Sequence, residues 1–385
     1  MSGCGGGGAN GDRLRARLET AIRALSAPGA ALSVLRDGRP YLAEAAGTAR
    51  FQPDGRNPFI PLSTLTHVRA ASISKLATAL TAQSMAAEGR FDLDADVSDL
   101  LGFELRNPAH RSREITARML LSHTSSLRDR MPYWVDSPGR IETLVGEENF
   151  ALHPPGRGFG YCNLGYGLAA SALEAAAGER FDRLARTYAL FPLGLYHTGF
   201  GWSGVEGYDR WAGATLYRRE DGRWIAQADD ADVLEGRATV VLAEPGFDIA
   251  DYEPGSNGTM FSPQGGWRAP VSEMARLARA FARNGPGEAL AEPVWEGSGT
   301  AEVWGTGPQI LREREAGIEG GLIGHPGQAY GFHGGAWTTP DGRWSFAYFV
   351  TGLDAQVRYP PRERATGFTR QERVLHEIAL DLIGA

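Results

Sequence analysis

Lysine is almost missing from this chain: its 385 residues hold 39 lysines and arginines together, and Lys75 is the single lysine among them. A phosphate-binding loop or a protein-kinase core each needs a lysine of its own, so both are excluded and the glycine run Gly5–Gly8 reads as a tail. Cysteine is scarce too. Cys4 and Cys162 cannot build a disulfide framework, and they leave the redox compartment open. No stretch reaches the roughly 18 to 20 apolar residues of a membrane span, and the opening residues show no charged-plus-apolar signal segment. Positive charge is not in excess either: the net charge of −7 argues against a nucleic-acid partner, whose affinity comes from clustered Lys and Arg. The pairs Arg111/Arg113 and Arg362/Arg364 accordingly read as solvated faces. Neither Gly-x-Ser-x-Gly nor His-Glu-x-x-His occurs, and the eight histidines form no ligand cluster, so catalytic zinc is not expected.

What remains is the composition of a soluble globular protein, 42% hydrophobic and 22% charged, with its lone lysine in a telling place. Lys75 stands three positions after Ser72, in Ala71-Ser72-Ile73-Ser74-Lys75. Arginine serves wherever only a positive charge is wanted, but its guanidinium keeps its proton, whereas a buried amine can be tuned to release one. At i+3 on a helix the two side chains share a face. The pair reads as a nucleophile and its proton acceptor.

Apolar spacing predicts a helix over Asp12–Ala27, then strands Ala30–Arg36 and Tyr41–Ala46 joined by a hairpin at Asp37-Gly38. A helix is expected over Ser72–Glu88 with Ser72 at its start, where backbone N–H groups and the helix dipole favour developing negative charge. Residues 90 to 285 read as mostly helical, clearest at Ala117–Leu121, Leu164–Ala177, Phe181–Leu190 and Val271–Arg283. Residues 200 to 262, rich in Gly, Asp and aromatics around Trp202, Trp211 and Trp267, read as an insertion or an active-site wall with a strand-like Ala238–Leu242. Strand chemistry returns at Gly331–Thr339 and Trp344–Thr351, joined across Pro340-Asp341-Gly342, before a helix Gln371–Ile383. The expected fold is α/β of the α+β kind: an antiparallel sheet built from both chain ends, flanked by helices, with an inserted helical subdomain. Its α/β part covers about residues 11–70 and 286–385 and its helical part about 71–285, after a flexible tail at 1–10.

A second motif is Tyr161-Cys162-Asn163. A phenol near cationic groups can relay a proton, and the neighbouring amide of Asn163 can bind both a lysine and a substrate carbonyl. Taken in order, Ser72-Ile73-Ser74-Lys75, Leu120-Leu121-Ser122-His123-Thr124-Ser125-Ser126-Leu127, Pro155-Gly156, Tyr161-Cys162-Asn163-Leu164-Gly165-Tyr166 and Phe191-Pro192-Leu193-Gly194-Leu195 resemble the serine beta-lactamase-related hydrolases. That family holds class C beta-lactamases, DD-peptidases, D-aminopeptidases and family VIII carboxylesterases. The resemblance runs from about residue 11 to the end and is weakest over 200 to 260.

The resemblance implies a third motif, Lys-Thr-Gly or His-x-Gly, on the strand that edges the site. His325-Pro326-Gly327 and His333-Gly334-Gly335 both match; the strand length counted back from Pro340 selects His325 and leaves His333 a structural role. It further implies acyl transfer through a covalent acyl-enzyme on Ser72, with Lys75 and Tyr161 sharing the proton traffic. The oxyanion would be held by the N–H groups of Ser72 and Gln328, with Asn163, His325 and Gly327 completing the substrate-binding set. Which of Lys75 and Tyr161 is the base stays open. No metal and no organic cofactor are implied, and the expected partner is a small-molecule or peptide substrate.

Where penicillin-hydrolysing relatives offer a lysine and a hydroxyl to the drug's carboxylate, this chain has His325 and Pro326, a weaker anionic grip. An esterase or a D-amino-acid-directed peptidase is therefore expected ahead of a beta-lactamase or a penicillin-binding sensor that is acylated without turnover. His123 reads as a buried, hydrogen-bonded structural histidine. The opening Met1-Ser2-Gly3-Cys4 resembles a bacterial lipoprotein processing site, which would place the protein in the cell envelope or periplasm, tethered through a lipidated Cys4. The other reading is a tail with an incidental cysteine on a cytoplasmic protein.

Overall fold

Buried positions Leu14, Leu18 and Leu25, spaced at helical intervals, bring one stripe of helix α1 (Ala9–Leu25) onto a sheet. The computed structural model describes residues 8–52, 54–201, 213–229, 243–244, 246–297, 302–354 and 368–385. Cys4, Trp202, Trp211, Arg362, Arg364 and Ala238–Leu242 lie outside them.

Strands β1 (Gly29–Arg36) and β2 (Arg39–Phe51) form the hairpin expected at Asp37-Gly38. Both turn residues take positive φ, +52° and +76°, the left-handed pair that a type I′ turn requires. β3 (Pro58–Pro61) edges β2. After two-residue strands β4 (Val68–Arg69) and β5 (Gly199–Phe200) come a hairpin, β6 (Leu216–Glu220) and β7 (Arg223–Ala228), and a short β8 (Trp267–Ala269). The C-terminal strands are β9 (Trp295–Glu296), β10 (Val303–Trp304), β11 (Gln309–Leu311), β12 (Leu322–Ala329), β13 (Phe332–Thr338), β14 (Trp344–Val350) and β15 (Gly352–Asp354).

The main sheet has the order β3-β2-β1-β14-β13-β12-β11-β10-β9. Its centre joins the two ends of the chain, with Ala30 opposite Val350 and Arg36 opposite Trp344. This is the sheet expected from the sequence. One face carries α1 and the C-terminal helix, packed on Leu32, Val34, Trp337 and Tyr348.

The longer helices in the rest of the chain are α2 (Ser74–Ala87), α3 (Ala117–Leu121), α4 (Leu164–Ala177), α5 (Phe181–Ala185), α6 (Val271–Arg279) and the C-terminal α7 (Arg370–Ile383). α3 and α4 occupy the ranges the periodicity gave. α6 departs from the expected division: it packs on β1, β13 and β14, so it covers the second face of the sheet and does not belong with α2 to α5. Within residues 200 to 262 the described part holds a second hairpin. β6 and β7 turn at Asp221-Gly222 with φ of +46° and +75°, the chemistry of the first hairpin repeated, and β15 pairs in parallel with β6.

Candidate active site

The site forms where β4 hands over to α2. β4 pairs with β8, and Ala70 donates its N–H to the Trp267 carbonyl at 2.8 Å. Ala71 then adopts φ of +48°, a left-handed conformation that costs a non-glycine residue about 1 kcal/mol or more. The chain turns through a tight 3-10 segment, Ala71–Ile73, before α2 begins at Ser74. Ser72 therefore sits in the turn that leads into the helix and not on its first residue, a small correction to the sequence reading. Trp267, grouped with the wall residues in the sequence, is fully buried behind this turn, its backbone N–H donated to Ser74 Oγ at 3.0 Å.

Lys75 has 0% of its surface exposed. Its amine Nζ lies 3.1 Å from Ser72 Oγ, 2.8 Å from Asn163 Oδ1 and 3.0 Å from the Gln264 carbonyl oxygen. The rings of Tyr161 and Tyr166 stand 4.8 Å and 5.1 Å from it. Burial disfavours the ammonium and pulls the lysine pKa down to about 7, against a smaller upward pull from the negative charge of Asp129. A neutral amine has two hydrogens and one lone pair. Asn163 and Gln264 each offer only an acceptor and take both hydrogens, so the lone pair is left facing the serine hydroxyl.

Tyr161 reaches Ser72 Oγ from the other side at 2.9 Å and is 38% exposed, so the hydroxyl stands between a buried amine and a phenol open to solvent. The segment Tyr161-Cys162-Asn163 is held from behind. Asp129 accepts hydrogen bonds from Asn163 Nδ2 at 2.8 Å, Asn163 N at 2.7 Å, Leu164 N at 2.9 Å and the Cys162 thiol at 3.3 Å. Two of those donors are backbone groups at the start of α4, where helical N–H groups have no partner within the helix. Burial raises the Cys162 thiol well above its ordinary range, so it stays protonated.

His123 fills the structural role expected of it. It is buried, its Nδ1 accepts from Cys162 N at 3.1 Å, and burial holds its pKa well below normal. The neutral ring packs 4.3 Å from that of Tyr161.

The register of β12 against β13 separates the two candidate histidines. His325 pairs with Ala336 and Gly327 with Gly334, while His333 pairs with Gln328. Paired residues share a face and neighbours alternate. A Cβ on Gly327 would press on the Ala70 carbonyl at 3.0 Å and on Ile73 at 3.3 Å, so this face, with His325, looks onto the serine-bearing turn. His333 shares the opposite face with Trp337, among the residues under α1 and α7. His325 lies 6.3 Å from the Tyr161 ring and 5.3 Å from that of Trp304. On its outer side β12 pairs with β11 only through Leu322, Ile323 and Gly324. From His325 to Ala329 that edge has no described strand beside it.

Ser72, Lys75, Tyr161, Asn163, His325 and Gly327 therefore meet at one corner of the molecule, while Gln328, the next residue of β12, shares the other face with His333. The sequence did not yield Asp129 or the Gln264 carbonyl. Asp129 stands 34 positions from Asn163, and a backbone carbonyl has no residue signature at all. Among the described residues no His, Cys, Asp and Glu cluster could hold a metal ion, and no helix is long and apolar enough to cross a membrane.

A family model described as Beta-lactamase matches residues 15–369. Protein flp of Staphylococcus aureus strain N315 is 26% identical over 184 residues, which is 45% of this chain and 35% of that protein. Beta-lactamase-like protein 2 of Dictyostelium discoideum is 28% identical over 157 residues, 38% of this chain and 29% of that protein. The matched region thus spans about a third of the length of these curated relatives. Among solved structures, the octameric penicillin-binding protein homologue from Pyrococcus abyssi superposes with a TM-score of 0.69 at 20% identity, covering 97% of this chain and 77% of that one. The D-amino acid amidase from Ochrobactrum anthropi SV3 gives 0.68 at 17% identity over 97% and 99% of the two chains. EstCE1, a hydrolase with promiscuous acyltransferase activity, gives 0.69 at 21% identity over 96% and 97%. At these identities the likeness is one of fold.

Proposed function

Because this chain belongs to the beta-lactamase family, we propose that it is a serine hydrolase that cleaves ester or amide bonds through a covalent acyl-enzyme. Within that class it acts as an esterase or a D-amino-acid-directed peptidase. The observation that carries the reading is the wholly buried Lys75 amine 3.1 Å from Ser72 Oγ, where burial pulls its pKa down to about 7.

In this mechanism Ser72 Oγ gives its proton to Lys75 as it bonds to the substrate carbonyl carbon, and the carbonyl π pair moves onto oxygen. The N–H groups of Ser72 and Gln328 hold that oxyanion. On collapse the alcohol or amine leaves with a proton delivered from Lys75, directly or through Tyr161, and Ser72 is acylated. Water attacks the ester by the same route in reverse, releasing the acid and restoring the hydroxyl. Substrate binds beside His325 and Gly327, along the stretch of β12 that has no described strand beside it and can accept an extended peptide or acyl chain.

The test is a panel of chromogenic short-chain esters and D-alanyl anilides. Turnover is expected in the wild type and lost in Ser72→Ala and in Lys75→Arg; activity that survives both substitutions overturns the proposal. Intact mass spectrometry after penicillin treatment separates the rival reading, since a long-lived adduct on Ser72 marks a sensor and rapid release an enzyme. The same proposal includes an envelope location with Cys4 lipidated, which the mass of Cys4-containing peptides from a membrane fraction checks.

A further inference from the structure

We propose that Asp129 is a positioning residue that fixes the direction of the Asn163 amide and, through it, the direction in which the Lys75 amine faces Ser72. An asparagine amide has an accepting end and a donating end, and the two demand opposite partners. In this site Nδ2 of Asn163 donates to Asp129 Oδ2 at 2.8 Å, and this leaves Oδ1 to accept from Lys75 Nζ at 2.8 Å. The carboxylate itself cannot turn away. Its other oxygen is held at 2.7 Å and 2.9 Å by the backbone N–H groups of Asn163 and Leu164. A carboxylate only accepts, so the amide has one orientation in which both of its ends are satisfied.

The groups facing Lys75 are the Ser72 hydroxyl, the Asn163 amide, the Gln264 carbonyl, the rings of Tyr161 and Tyr166, the His123 imidazole, the Cys162 thiol and, one shell back, Asp129. Asp129 supplies the negative charge that favours the ammonium.

Asp129→Asn keeps an oxygen for the two backbone N–H groups but puts a donor where Oδ2 was. Donor then meets donor, Asn163 turns over, and its Nδ2 confronts the Lys75 amine. The double variant Asp129→Asn with Asn163→Asp restores an acceptor on both contacts and places the carboxylate directly on the amine. The two variants move the lysine in opposite directions.

The single lysine makes this measurable. Selective isotope labelling of lysine in the intact protein gives one ε-methylene NMR signal, whose pH titration reads Lys75 whether or not the protein turns over a substrate. Relative to wild type, the midpoint is expected to fall by about one pH unit in Asp129→Asn and to rise by about as much in the double variant. Where ester turnover is measured, kcat is expected to fall roughly tenfold or more in Asp129→Asn with KM little changed. A wild-type midpoint in folded Asp129→Asn overturns the proposal, as does loss of kcat without movement of the midpoint, which would mark Asp129 as a helix cap alone. If Asp129→Asn does not fold, a double variant whose midpoint stays at the wild-type value overturns it equally. The inference rests on the reading of Ser72 and Lys75 given above, but the two fail separately: absence of turnover in the wild type sinks that reading and leaves the titration standing.

Discussion

Lys75 and Glu174 are both wholly buried, and burial drives both to a pKa of about 7, the lysine downward and the glutamate upward. Their surroundings differ. Glu174, on α4, accepts from Tyr252 Oη at 2.7 Å, Gly255 N at 2.9 Å and Phe181 N at 2.8 Å, groups that tie a loop and the start of α5 onto the helix. Lys75 touches one group of another kind, a hydroxyl that is shared with a solvent-facing phenol. A shifted pKa therefore records burial. What turns it into chemistry is a reactive neighbour within reach of a substrate.

The comparison breaks most sharply on activity. Lys75→Arg is expected to lower the rate of Ser72 acylation by at least about 10³-fold, because a guanidinium keeps its proton. Glu174→Gln should leave kcat/KM for the same ester within about twofold while destabilising the fold by roughly 1–3 kcal/mol, since one amide oxygen replaces two accepting oxygens. A Glu174→Gln variant that folds and is inactive would erase the distinction.

Stability against pH sharpens it next. A depressed lysine contributes stability that is complete above its unfolded value and is lost as pH falls toward the folded one. Its share of the unfolding free energy therefore climbs from about pH 7 to 10.5, with a ceiling of roughly 5 kcal/mol at 1.36 kcal/mol per pK unit. A raised glutamate works in the other window: its contribution is full below 4.5 and is lost as pH rises through about 7, with a ceiling of roughly 3 kcal/mol. Thermal melts across pH should lose the climb in Lys75→Met and the decline in Glu174→Gln. The smallest effect belongs to Tyr252→Phe, which removes one donor, costs about 1 kcal/mol and moves the Glu174 titration higher still.

Much of this was legible in the residues. Asp37-Gly38 announced its hairpin because the flanking runs are apolar and the turn needs two left-handed residues. Asp221-Gly222 carries the same chemistry, but its flanks, Leu-Tyr-Arg-Arg-Glu and Arg-Trp-Ile-Ala-Gln-Ala, mix polar and apolar residues and show no clear alternation. Ser72, Lys75 and Tyr161 could be found because their chemistry lies in side chains of rare type or spacing. The choice of His325 over His333 rested on strand length, and the alternation of β12 and β13 puts the two on opposite faces. Asp129 and Gln264 stayed hidden because they act on the site across the fold, one from a distant loop and one through its backbone.

The sheet at the heart of the molecule pairs Ala30 with Val350. While the ribosome is still making the intervening residues, at roughly 5–20 residues per second, the β1–β2 hairpin waits for tens of seconds with its inner edge uncovered. Neither His325 nor the strand that carries it exists during that interval, so the corner that joins Ser72, Lys75 and His325 cannot form in a partly made chain. That corner is complete only when translation is nearly finished.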